Sequence, residues 1–362
     1  MKKVLLLLLV IFSSLTLTAC LDFSNKQDDT NDVTANPIDP QKVLLFIGDG
    51  MGENHIKTAE MYLEKTMAFS SFEKQGYVKT DSLSRYTATD SAAAATALAT
   101  GQKTLNGSVA TFVGNNLTSI SELAAEKGLG VGIVTTDSLS GATPAGFSAH
   151  ANNRNDEDDI IKSELANAFD LYLGAGYSSY VQYKDDFINA GYEFIDDYTQ
   201  LKQTNKKVIG TFEKINNYTP SGKNPTLPIL TEYAVKYMEE NFPGGYFLMI
   251  EGAHIDKKSH SRLVFEMIEY LDEFNNSIIK AQESLKSTED ICFIVTADHE
   301  TGKLALPNNK EEISNNLYKS DSHSSQNVNY YIELKNDILL NEAKETIDNT
   351  DIFKICKKLL GM

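Results

Sequence analysis

KVLLFIGDGMG, residues 42–52, sets five unbroken apolar residues, Val43–Ile47, against a glycine-rich turn with Asp49 at its centre. A short run of this kind, rich in Val, Ile, Leu and Phe and bounded by glycine, reads as a strand buried on both faces, as in a parallel sheet. Three further runs share the pattern, at Val131–Thr135, Tyr246–Ile250 and Ile291–Thr296. Between them the apolar period becomes helical at 117–127, 229–242 and, most clearly, 262–285. In the last, Val264, Met267, Ile268, Leu271, Phe274 and Ile278 form one stripe, which reads as core packing. Strands alternating with helices predict an α/β fold: a three-layer sandwich with a large, mostly parallel central sheet flanked by helices on both faces. No internal repeat or second linker breaks residues 42–362, which read as a single domain. Residues 175–225, rich in Tyr, Asn and Lys, carry no clear period.

The first twenty residues stand apart. Lys2 and Lys3 precede an apolar run, Val4–Phe12, shorter than the ~20 residues a spanning helix needs, and the pattern is that of a secretory signal. Leu17-Thr18-Ala19-Cys20 resembles a bacterial lipobox. That resemblance implies a signal peptide over 1–19, a lipid on Cys20, and export to the cell surface or periplasm as a membrane-anchored lipoprotein. Residues 20–41, with Pro37 and Pro40 among Asp, Asn and Thr, read as a flexible tether. The whole chain of 362 residues carries 33 Lys plus Arg against 50 Asp plus Glu, a formal charge of -17. This excess argues against a nucleic-acid groove, which needs clustered basic surface. Three cysteines cannot build a disulfide framework, and Cys292 and Cys356 read as free buried thiols.

In an open α/β sheet, ligands bind beyond the carboxyl ends of the strands. Gly48-Asp49-Gly50 comes after the first run, and Ser140-Gly141-Ala142-Thr143 after the second. Glu251-Gly252-Ala253-His254-Ile255-Asp256, with His260 four residues on, comes after the third, and Ala297-Asp298-His299-Glu300 after the fourth. One Asp after a strand is an ordinary cap or turn residue. Several carboxylates converging on one rim repel each other, and metal ions are the simplest compensation. Asp256 and His260 share a face if their segment is helical. Mixed Asp/His ligation suits zinc, and an all-oxygen set suits magnesium. Zinc sites must draw on six histidines, at 55, 150, 254, 260, 299 and 323.

Ser91 lies in Asp90-Ser91 directly before Ala92–Ala95, which reads as a helix start. A capping role would explain that pair by itself. The same helix N-terminus offers free N–H groups and partial positive charge to a phosphate, and makes Ser91 the candidate nucleophile.

Taken in order, Ile47–Gly52, Asp90-Ser91-Ala92, Ala142-Thr143-Pro144-Ala145 with Arg154, Glu251–Asp256 with His260, Thr296–His299 and His323-Ser324 resemble the alkaline phosphatases over nearly all of the domain. The resemblance implies hydrolysis of small phosphate monoesters through a phosphoserine on Ser91, with two Zn2+ and one Mg2+. It implies one zinc on Asp256, His260 and His323, and a second on Asp49, Ser91, Asp298 and His299. Magnesium would sit on Asp49, Thr143 and Glu251. Arg154 would bind phosphate with its planar fork, and Lys257 matches a lysine that reaches phosphate in bacterial members. Gly141 departs from the pattern, since enteric members have Asp there and animal members His, so the magnesium shell is expected to be looser. His55 reads as a helix-surface residue; His254 stands at a position the family does not use as a ligand, which leaves open whether it touches the substrate edge or is structural. The chain is short for the family, which implies an open cleft and leaves homodimerisation open. A phosphodiesterase of the same superfamily and a non-catalytic phosphate-binding surface lipoprotein are the alternatives.

Overall fold

Lys42–Gly48 (β1), buried along its whole length, lies inside a ten-stranded sheet in a computed structural model that describes residues 41–335 and 340–362. The signal segment, Cys20 and all of the tether but Gln41 lie outside the described residues. The other strands are Lys74–Lys79 (β2), Gly130–Ser138 (β3), Leu171–Ala175 (β4), Tyr192–Ile195 (β5), Lys207–Phe212 (β6), Tyr246–Gly252 (β7), Ile291–Thr296 (β8), Val328–Leu334 (β9) and Thr346–Asp348 (β10). Their order across the sheet is β10-β2-β9-β8-β1-β7-β3-β4-β6-β5. The seven strands from β8 to β5 run parallel, and only β9 is antiparallel to both of its neighbours. The expected fold class holds: an α/β sandwich about a large, mostly parallel sheet.

Two sets of helices cover this sheet. Ser91–Thr100 (α1), Ile120–Glu126 (α2), Ala142–Ser148 (α3) and Asn349–Leu359 (α4) pack together, with α2 and α3 against β3 and β7. In the second set, the 21-residue helix Val264–Ser284 packs on Leu227–Asn241, on Glu53–Leu63 and on His254–His260. The stripe read from its period is the buried face: all six residues have 0% exposure. At roughly 1.5–3 kcal/mol per buried large side chain, that face holds the helix to the sheet. Cys292 and Cys356 are free and buried, as expected.

The unreadable stretch 175–225 supplies two short helices and the strands β5 and β6 at one end of the sheet. Four strands separate β6 from β8 in the sheet order. The acid-bearing turns therefore gather at the middle of the sheet, on its most deeply buried strands.

Candidate active site

Strands β8, β1, β7 and β3 are neighbours; the first three finish level to within a residue, and β3 runs on to Ser138. Ile47 pairs with both Thr296 and Glu251, and Glu251 with Thr135. Asp49 and Asp298 each stand two residues beyond that line, so strand register alone brings them to one rim. The Asp49 N–H donates to the Gly252 carbonyl at 3.3 Å, and the Gly50 N–H donates to Asp298 Oδ1 at 3.1 Å. Gly50 has φ of 70°, and a Cβ there would stand 2.9 Å from the Asp256 Cα. Only glycine permits that turn and that approach.

Asp256 and His260 do occupy one helix, His254–His260. His323 reaches them through a two-stranded ribbon in which Glu300–Thr301 pairs with His323–Ser324. His260 Nδ1 faces the Asp321 carbonyl at 2.5 Å and His323 Nδ1 the Thr89 carbonyl at 2.8 Å. Carbonyls only accept, so both Nδ1 atoms carry hydrogen and both Nε2 atoms turn lone pairs inward. Those two Nε2 atoms are 3.1 Å apart, with Asp256 Oδ2 3.3 Å from one and Asp256 Oδ1 3.6 Å from the other. Three electron-pair donors this close require a cation among them, either a proton or a metal ion. Without metal the proton serves: the hydrogen bond to Asp256 raises His260 to about 9.

A second group lies beside the first. Asp49, Asp298 and His299 are all buried and bring their ligand atoms within 4.8 Å of one another. His299 Nε2 is 3.2 Å from Asp298 Oδ2, 3.6 Å from Asp49 Oδ1 and 3.2 Å from Ser91 Oγ. Burial lowers His299 to about 4, which leaves it neutral. Asp49 Oδ1 and Asp298 Oδ2 are buried and lack a hydrogen-bond donor. Burying two carboxylate oxygens without donors costs too much to persist unless cations meet them. The donor set therefore fits divalent metal. Thr301 ties the groups together: its hydroxyl donates to Asp256 Oδ1 and stands 3.3 Å from His299 Nδ1.

Ser91 is the first residue of α1 and 4% exposed. Asp90 caps that helix by accepting from the Ala93 N–H at 3.0 Å, and its other oxygen takes the Gly107 N–H at 3.0 Å and Arg154 Nη1 at 3.2 Å. Asp90 is thus a cap and also holds the guanidinium beside Ser91. Of the remaining expected residues, Glu251 is buried at the end of β7 and accepts from the Thr135 hydroxyl. Thr143 is buried on α3 with an unpartnered Oγ. Lys257 pairs with Asp137.

A family model, alkaline phosphatase, matches residues 40–358. The chain belongs to the alkaline phosphatase family. It is 30% identical to alkaline phosphatase 4 of Bacillus subtilis over 296 residues, which are 75% of this chain and 64% of that relative. It therefore spans less than two thirds of that relative's length. The alkaline phosphatase of the Antarctic bacterium TAB5 superposes with a TM-score of 0.77 at 28% identity, over 89% of this chain and 98% of that one. A His 135 Asp mutant of the TAB5 protein, solved with Mg bound in its M3 site, gives a TM-score of 0.76 at 26% identity and the same coverage.

One histidine reading is corrected within this alkaline phosphatase fold, that of His55. His55 is fully buried, with Nε2 3.1 Å from Ser259 Oγ; it faces inward because its side of the helix Glu53–Leu63 packs on the ribbon and on Tyr318. His254 is stacked on Tyr270 at 4.8 Å and bonds the Thr136 hydroxyl at 3.0 Å, so it braces the turn after β7. Asp137 and Thr301 do not stand out in the sequence, because an Asp or Thr at a strand end is ordinary turn chemistry.

Stripped of its cations by a chelator, the site should show a pH effect on stability. Burial, with Asp137 nearby, raises Glu251 to about 8, and His260 is raised to about 9. Both groups bind more protons folded than unfolded between pH 7 and 9, so stability falls as pH rises through that window. Chelator-stripped protein should lose about 1 kcal/mol or more from Glu251 alone. Metal-loaded protein should melt with a flatter pH dependence, and equal slopes in thermal melts of the two forms would contradict this electrostatic picture.

Proposed function

We propose that this chain hydrolyses phosphate monoesters by transferring the phosphoryl group to Ser91 Oγ and then to water. In the first half, the bond from phosphorus to the ester oxygen breaks as one to Ser91 forms, and the alcohol leaves with a proton. In the second, water takes the phosphoryl group, and inorganic phosphate and the Ser91 hydroxyl are released. Asp256, His260 and His323 would hold one zinc, and Asp49, Asp298 and His299, with Ser91, a second. Asp49, Thr143 and Glu251 would hold magnesium. When bound, these ions supply Lewis acidity that stabilises charge on the entering and departing oxygens.

The chain's own groups do the rest. The α1 N-terminus turns its free N–H groups toward the phosphoryl oxygens. Arg154, steadied by Asp90, presents a planar fork matched to two of those oxygens. His299, buried and neutral, leaves Ser91 Oγ unobstructed by a competing cationic donor. Little beyond the phosphoryl group is gripped, so alcohols of many kinds can leave. The observation that carries this reading is the facing pair of imidazole lone pairs next to a buried Asp-Asp-His set that touches the Ser91 hydroxyl. Export and a lipid on Cys20 belong to the same proposal.

A nitrophenyl phosphate monoester and its diester, each assayed with and without chelator, test it. The monoester should be cleaved far faster and only with metal. Preferential diester cleavage would favour the phosphodiesterase, and stoichiometric phosphate binding without turnover the binding lipoprotein. Arg154→Lys keeps the charge and loses the fork; kcat/KM should fall ~10- to 100-fold, since a charge-assisted hydrogen bond contributes about 1.5–3 kcal/mol. An unchanged kcat/KM would remove Arg154 from the site.

A further inference from the structure

Asp137, at the end of β3, fills a place that the chain leaves open for it. Gly141 opens α3 two residues before Thr143, and a Cβ there would stand 3.0 Å from Asp137 Oδ2 and 2.8 Å from the Ser138 carbonyl. A side chain at 141 would press hardest on the Ser138 carbonyl and would also crowd the Asp137 carboxylate, which would have to shift by a few tenths of an ångström. That carboxylate is also tied to its surroundings on two sides. Its other oxygen, Oδ1, pairs with Lys257 Nζ. Its backbone N–H donates to Thr135 Oγ at 2.9 Å, and the same hydroxyl donates to Glu251. One threonine hydroxyl therefore links the chain positions of two acids, while Lys257 feels the charges of Asp137, Glu251 and Asp49 together. The neighbouring Thr143 Oγ is buried, 1% exposed for the residue, and has no partner.

We propose that Asp137 is a positioning residue for the third cation: it closes that position beside Glu251 and Thr143 and orients Lys257, using the space that Gly141 keeps free. This rests on the reading above that Asp49, Thr143 and Glu251 hold magnesium. Positions 137 and 141 are then alternative sources of one carboxylate, crowded against each other if both carry a side chain.

The test titrates MgCl2 into zinc-loaded full-length protein by calorimetry, and measures the affinity for inorganic phosphate alongside. Asp137→Ala and Asp137→Asn should each weaken magnesium binding about 10- to 100-fold, the range found when an outer partner of a metal site is removed. Phosphate affinity should fall with it as Lys257 loses its anchor. Asp137→Gly combined with Gly141→Asp should restore magnesium affinity to within a few-fold of the parent, a rescue that a merely structural role would not give. If the combined variant does not fold, Asp137→Asn, nearly the same shape without the charge, decides alone. Unchanged magnesium affinity in Asp137→Asn, or a folded combined variant no better than Asp137→Ala, would overturn the proposal. Parent protein that binds no magnesium overturns it together with the third-cation reading, whereas parent that binds magnesium and cleaves no monoester removes the hydrolase reading and leaves the affinity comparison standing.

Discussion

Ser91→Ala should lower kcat/KM for a phosphate monoester by a thousand-fold or more, with zinc content and phosphate affinity nearly unchanged. Removing a nucleophile from an assembled site costs factors of this size, because the remaining groups have nothing to transfer the phosphoryl group to. The substitution is mild for the fold. Alanine suits the first turn of a helix, the cap on α1 comes from Asp90 and not from Ser91, and only the contact with His299 is lost. A folded Ser91→Ala protein that turns over normally would exclude the phosphoserine route. Loss of turnover with loss of zinc would show instead that Ser91 acts only in holding metal.

Removing the metal should have the second largest effect. Chelation is expected to abolish turnover and to lower the melting temperature by about 10 °C or more. Ions that bind only the folded chain stabilise it by ~2.7–4 kcal/mol each at a hundred- to thousand-fold excess over Kd, and each kcal/mol moves the melting point of a chain of this size by a few degrees. The physical source is visible in the site. Asp49 and Asp298 are buried with unpartnered oxygens, and burial above all raises Asp298 to about 6. Zinc should restore both activity and melting temperature. A chelated protein that melts and turns over as before would mean that these groups hold no functional ion.

Much of this is legible in the sequence because the central strands carry their burial in their composition. Val43–Ile47 and Ile291–Thr296 are apolar on both faces, so no period is needed to find them, and the residues just past each strand must lie on one rim. Asp49, Glu251, Asp298 and His299 are found by that route. The outer strands are not, for a matching reason. In β2, alternate residues are exposed and only Val78 is fully buried, so the sequence Lys74–Lys79 shows no apolar run. Residues 171–212 give strands of four to six residues with Lys, Tyr and Glu among them. His323 can be assigned only through the resemblance, since the ribbon that delivers it is two residues long on each side. His55 misleads because a polar residue in an amphipathic helix is normally outward, and here a serine and a tyrosine receive it inside. Asp137 leaves no trace in the sequence. Its meaning depends on an absent side chain four residues later.

The most direct test is anomalous diffraction at the zinc edge on crystals of the metal-loaded protein with phosphate. Two zinc peaks are expected, one bounded by Asp256, His260 and His323, the other by Asp49, Asp298 and His299 with the Ser91 oxygen in contact. Peaks elsewhere on the molecule, or a Ser91 hydroxyl turned away from both, would contradict the account.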